Sequence, residues 1–143
     1  MALNTYLTLK LDNVAVQGSV IIKGREGTIE IHSLEWSFDS DGNVGEIKWI
    51  GEIDKATTDI SAGLVSQANV DATFNFYTTT QQGVETNYFR LAGSPGKVTS
   101  VNIWMPNNQD PNLTRYDTTL QVTMSFPSVI ETYVIDGTTA TVS

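Results

Sequence analysis

Three stretches of this chain alternate apolar and polar residues with a period of two, and no other feature constrains its fold as strongly. Leu7, Leu9 and Leu11 face one way while Tyr6, Thr8 and Lys10 face the other. Val70, Ala72, Phe74 and Phe76 alternate with Asp71, Thr73, Asn75 and Tyr77, and Leu120, Val122, Met124 and Phe126 alternate with Gln121, Thr123 and Ser125. Successive side chains of an extended strand point to opposite faces, so each stretch reads as a half-buried strand of an antiparallel sheet or barrel. Composition agrees: Thr, Val and Ile supply 43 of the 143 residues against 8 Ala, and β-branched side chains pack well on a pleated surface. One strand changes phase. Ile29 and Ile31 share a side, yet Leu34, Trp36 and Phe38 continue on the other parity. An extra residue near His32-Ser33, acting as a β-bulge, would turn a barrel corner there.

Only one segment reads as a helix. Asp54 to Asp59 offers capping oxygens, and Ile60 and Leu64 then stand at i, i+4, which predicts a helix over about residues 58–67. Gly63 inside it costs roughly 1 kcal/mol against Ala and so marks a close packing contact. Turn chemistry punctuates the rest at Ser40-Asp41-Gly42-Asn43, Gln81-Gln82-Gly83, Ser94-Pro95-Gly96 and 107–112. No internal repeat or linker divides the chain. The residues read as mainly β, an antiparallel sheet or barrel with one helix, in a single domain over 1–143 with a short Thr-rich tail after about residue 135.

Charge narrows the partners. Eight Lys and Arg against 16 Asp and Glu leave a net charge of −8, and no basic stripe exists to meet nucleic acid or an anionic membrane. No run of 18 apolar residues is present, so no membrane insertion by a spanning helix is expected. There is no cysteine, which removes disulfides, thiolate metal sites and thiol catalysis. The opening residues lack a basic and then apolar leader, so the protein is expected to begin in the cytoplasm.

Candidate chemistry is thin. His32 is the sole histidine; no Gly-x-Ser-x-Gly elbow accompanies it, and no second His or Cys could share a metal with it. It reads as a surface or interface residue. Asp39-Ser40-Asp41-Gly42-Asn43 begins like a calcium loop, but Val44 and Ile50 stand where that loop needs Gly and Glu, so it reads as a turn. Gly24-Arg25-Glu26-Gly27 lacks the Lys-Ser/Thr ending and helix of a phosphate loop. It reads as a charged turn whose Arg and Glu could meet a neighbouring subunit. Trp36, Trp49, Trp104, Tyr77, Tyr88 and Tyr133 could build a sugar-stacking face, although alternating strands place most of them for packing. The carboxylate pairs Glu30/Glu35 and Asp54/Asp59 show no context for glycosidase chemistry. Asn112-Leu113-Thr114 fits a glycosylation acceptor. The residues by themselves describe a structural or binding module, with no cofactor and no catalytic residue. A structural subunit, a monomeric β-sandwich module recognising sugar or protein, and a hydrolase using scattered carboxylates all stay open.

The order of the motifs resembles one family. Met1 to Leu9 looks like the first strand of the hemolysin-coregulated proteins (Hcp), the inner-tube subunits of type VI secretion systems. Gly18-Ser19-Val20 followed by Gly24-Arg25-Glu26-Gly27-Thr28-Ile29-Glu30-Ile31 is similar to that family's Gly-Ser, charged turn and Ile-Glu-Val strand. Leu34-Glu35-Trp36, the helix entry Glu52-Ile53-Asp54-Lys55-Ala56-Thr57, the hairpin through Phe74-Asn75-Phe76-Tyr77 and Tyr88-Phe89, and Val98-Thr99-Ser100-Val101 follow in the family's order. Two departures stand out. The family's long loop between residues 36 and 50 is shortened to a turn around Gly42, and Thr58 replaces the usual Pro at the helix entry. The resemblance implies a compact antiparallel β-barrel of two sheets with one flanking α-helix, a structural, non-enzymatic subunit forming homohexameric rings that stack into a tube. Its partners would be a contractile sheath, a spike and effector proteins carried in the lumen, and it would leave the cell through the machine without a signal peptide. A phage-type tail-tube subunit is a close variant. Ring closure needs complementary edges, and Arg25 with Glu26 or Glu35 are the candidate rim pairs, beside Trp36.

Overall fold

A computed structural model describes residues 2–113 and 117–143 (backbone alone for Ala2 and Leu3). Its elements run β1 Ala2–Leu11, β2 Val14–Val16, β3 Ile29–Glu35, β4 Ile47–Glu52, α1 Thr57–Ser66, β5 Val70–Thr79, β6 Glu85–Trp104, β7 Thr119–Ser125, β8 Val129–Tyr133 and β9 Thr138–Val142. Six of the strands close on themselves. β1 pairs β3, β3 pairs β4, β4 pairs β7, β7 pairs β6, β6 pairs β5, and β5 returns to β1, every pair antiparallel. β2 lies outside on β1, β8 on β6 and β9 on β8. The expected barrel is present, and its hydrogen-bond ladder runs unbroken around the ring. Closure leaves none of the six barrel strands as a free edge; the outer edges fall to β2 and β9.

The period-two signal places the core. Leu7 and Leu9 of β1, Val70, Ala72 and Phe74 of β5, and Leu120, Val122 and Met124 of β7 are all buried, and Trp49 of β4 is wholly enclosed. Inside a barrel of six strands such side chains fill the interior, which is a packed core and not a channel. Tyr6 breaks the alternation: it is buried although it points out of the barrel, because other outward groups cover it.

The bulge expected at His32-Ser33 is present, since the β3–β4 register shifts between Ile31 and Ser33. β3 gives up β1 at this same place, pairing with it only through Ile31. A second corner escaped the reading of the sequence. Ser94-Pro95-Gly96, expected as a turn, lies inside the 20-residue strand β6. There β6 exchanges β8, paired through Gly93, for β7, paired from Lys97. The strand bends instead of reversing because the ring of Phe126 fills the space that side chains at Gly93 and Gly96 would occupy; a Cβ at Gly96 would stand 2.3 Å from Phe126 Cδ1.

The helix begins and ends one residue earlier than expected, and its C-cap Gln67 adopts a left-handed conformation with φ 56°. The expected side-chain cap is not made: the N-cap position is Ala56 and no side-chain oxygen caps the helix. Asp54 instead shapes the preceding turn, its Oδ1 accepting the Ala56 amide at 2.9 Å while its own amide donates to Thr57 Oγ1 at 3.0 Å. Gly63 is a packing contact, for a Cβ there would stand 2.9 Å from Leu11 Cδ1. The Thr-rich end, expected to trail off, instead forms β9 and pairs along its length with β8. Its residues are mostly exposed, which explains why no hydrophobic periodicity announced it. Of the glycosylation acceptor at Asn112, Thr114 lies outside the described residues.

Candidate functional site

Residues 17–28 form a strap between β2 and β3, built by glycine. The Gly18 amide donates to Gly27 O at 2.8 Å, and the Gly27 amide to Val20 O at 2.9 Å. Gly24 and Gly27 have φ of 88° and 77°, values that residues with a Cβ seldom adopt. A Cβ at Gly18 would stand 2.1 Å from the Thr28 carbonyl oxygen. The strap is moored to the helix entry through Ser19, whose amide donates to Asp54 Oδ2 at 3.2 Å and whose Oγ accepts the Lys55 amide at 3.1 Å.

Arg25 turns back from this strap onto the barrel. Its guanidinium carbon lies 4.0 Å from the ring centroid of Tyr77 and 4.9 Å from that of Tyr6. These two rings meet edge to face at 5.6 Å. The guanidinium is ion-paired with Glu85, at the start of β6. Burial opposes the charge, but the hydrogen bonds that Arg25 donates to Glu85 and Tyr6, with the negative charge of the Glu85 carboxylate, outweigh it, so the Arg25 pKa is raised. The rim partners expected from sequence, Glu26 and Glu35, do not pair with Arg25 inside this chain; both remain exposed. Nothing in the sequence singled out Glu85. Tyr6 carried a faint signal as an aromatic on the polar face of an alternating strand.

Trp36, just past the end of β3, is half-buried against the core. It stacks on Phe89 at 6.2 Å with an interplanar angle of 18°, and meets Phe76 edge-on at 5.7 Å. Its indole Nε1 donates to Glu131 Oε2 at 3.0 Å, tying the end of β3 to β8. Phe76 also meets Tyr88 at 6.5 Å. This cluster joins Trp36 to one of the other five aromatics proposed as a sugar face. Trp49 is in the core, and Tyr77 is covered by Arg25. The six do not form a single platform.

The remaining candidates have ordinary occupations. His32 Nε2 lies 3.6 Å from Glu30 and 3.9 Å from Glu52, all partly exposed. Glu30 also accepts from the Asn4 amide group at 2.6 Å. Asp39 closes its turn on itself, accepting the Asn43 and Asp41 amides at 2.9 and 3.0 Å. These bonds, with the Asn43 backbone amide first among them, hold its carboxyl below the ordinary 3.8. Among the described residues no three His, Cys, Asp or Glu side chains are grouped to hold a metal.

The class of molecule is now defined: a closed six-stranded antiparallel barrel with a packed interior and, among the described residues, one helix and three outer strands. The family model described as type VI secretion system effector, Hcp, matches residues 6–133, and the chain belongs to that family. The fold is that of Hcp1 from E. coli EAEC 042, with a TM-score of 0.84 at 22% identity and coverage of 97% of both chains. The secreted protein Hcp3 from Pseudomonas aeruginosa gives 0.83 at 12% identity, covering 99% of this chain and 97% of that one. Hcp1 from Salmonella typhimurium gives 0.76 at 20% identity, covering 97% and 92%. No curated protein matches the sequence. The protein is a tube-forming structural subunit of the type VI secretion system, a self-assembling component secreted through that machine, and not an enzyme. Among the described residues no helix is long and apolar enough to cross a membrane.

Proposed function

We propose that the chain assembles into homohexameric rings that stack into the tube, resting in the cytoplasm until a contractile sheath and spike drive it out, with effectors held in the lumen. One observation supports this reading most directly. The barrel closes and fills its core while leaving Ile21, Val65, Met105 and Ile135 each more than 60% exposed. Large apolar side chains left out of a completed core are available to neighbours, and rings and tubes supply neighbours on every side.

The interface role foreseen for Arg25, Glu26, Glu35 and Trp36 divides accordingly. Glu26 and Glu35 are exposed and offer charge to an adjoining subunit. Arg25 and Trp36 act from beneath, one shaping the strap and the other fastening β3 to β8. The turn between β3 and β4 is closed tightly by the Phe38–Val44 bridge. Light scattering of the purified protein at two concentrations tests the reading. Six copies of a 15.6 kDa chain give about 94 kDa, the mass of the closed ring. A species of that mass with ring-shaped particles by negative stain is expected; a monomer at every concentration would overturn it.

A further inference from the structure

The strap exposes apolar surface in a conformation that its own chemistry holds still. Ile21 is 90% exposed and Ile22 42%, at a turn where the Arg25 amide donates to Ile22 O at 2.9 Å. Three residues beyond Ile22, Arg25 is pinned between two tyrosines and Glu85. A loose loop would fold such isoleucines against its own barrel. This one is prevented from doing so, at a cost in conformational entropy that the tip's own contacts do not repay. Lys23 follows directly and is also exposed. The tip is therefore a preorganised apolar knob with one cation beside it, on a chain of net charge −8.

A complementary hollow of about 250 Å³ lies between β2 and α1, walled by Leu11, Val14 and Ala68 and edged by Asp12 and Asp59, with no cation in its lining. Val14 is 67% exposed there, and the hydrogen at Gly63 leaves room that a side chain would take from Leu11.

We propose that the strap tip of one copy, Ile21 to Lys23, seats in this hollow on a second copy, with isoleucine on the apolar wall and the Lys23 ammonium at Asp12 and Asp59. The inference rests on the ring reading and names its contact. The occupant is a second copy because knob and hollow are carried by the same chain and match in both apolarity and charge. Two different complementary patches on one chain make a head-to-tail contact, the kind that repeats until a ring closes. Preorganisation of the knob lowers what each contact must spend on ordering.

The test is the concentration at which rings form, read by light scattering, with circular dichroism to confirm that each variant is folded. Ile21→Asp is expected to raise the midpoint roughly tenfold or more, the scale of losing a central apolar anchor. Lys23→Glu and Asp59→Lys should each raise it, and the double variant should recover most of the loss. Wild-type protein that stays monomeric would overturn both this contact and the ring reading. Rings that tolerate Ile21→Asp, or charge reversals that the double variant fails to recover, would overturn the contact and leave the rings standing.

Discussion

The barrel interior and the strap solve the problem of order in opposite ways. The interior distributes its stability over many apolar side chains from all six barrel strands, none of which needs a particular partner. The strap, with its glycines and exposed isoleucines, has almost no core of its own. It relies on one buried arginine and a handful of hydrogen bonds. A distributed core tolerates change at a graded cost in stability. A strap held by one group can lose its shape while the barrel melts nearly as before.

Truncation in the interior should give the largest effect. Trp49 is fully enclosed, and Trp49→Ala is expected to cost about 3–5 kcal/mol in guanidinium unfolding, through lost burial and the cavity left behind. Its indole nitrogen has no partner among the described residues, so Trp49→Phe, which removes that donor and keeps most of the bulk, should cost less. The corner of β6 comes next. At Gly96 a Cβ would meet Phe126 Cδ1 at 2.3 Å and the Ser125 carbonyl at 2.6 Å. Gly96→Ala is expected to cost about 1–3 kcal/mol as an overpacked site, read as a lower denaturant midpoint at unchanged slope.

The strap should respond differently. Arg25→Met keeps the aliphatic stem and loses the charge held over Tyr6 and Tyr77. Because Glu85 is about half exposed, its ion pair contributes little, and the global cost is expected to be only about 1–2 kcal/mol. Amide exchange over residues 17–28 should nevertheless quicken far more than in β4 or β7. Equal quickening in the two regions would erase the distinction between them.

The smallest effect belongs to Asp39, exposed at the turn between β3 and β4. Its pKa is lower in the folded chain than the ordinary 3.8. Its contribution is therefore complete above that value and fades as pH falls through the folded pKa. The melting temperatures of wild type and Asp39→Ala are expected to differ slightly at neutral pH, and that difference should shrink only below pH 3.8. A difference that already shrinks near pH 6 would point to another group.

Much of this molecule was legible because burial inside a barrel is periodic. Leu7, Phe74 and Val122 announced their faces by spacing alone, and the parity switch after Ile31 placed a bulge near His32-Ser33, where the register shifts. The fold class, the single helix and the family order followed from such local signals. The Ser94-Pro95-Gly96 corner was misread because a bend inside a strand and a turn between strands use the same residues. What separates them is Phe126, some thirty residues away in the chain. β9 was missed because it is paired by backbone hydrogen bonds on an outer edge, where side chains carry no pattern.

The candidate interface shows the same division. The sequence by itself determined that Gly24-Arg25-Glu26-Gly27 is a charged turn, since glycine and charge are local properties. Only the tertiary structure decided that Arg25 faces inward to Tyr6, Tyr77 and Glu85 while Ile21 faces out, inverting the usual preference of both residue types. Nothing nearby in the chain specifies that inversion. It depends on β1, β5 and β6 converging at one place, and convergence of distant strands exists only once the barrel has closed.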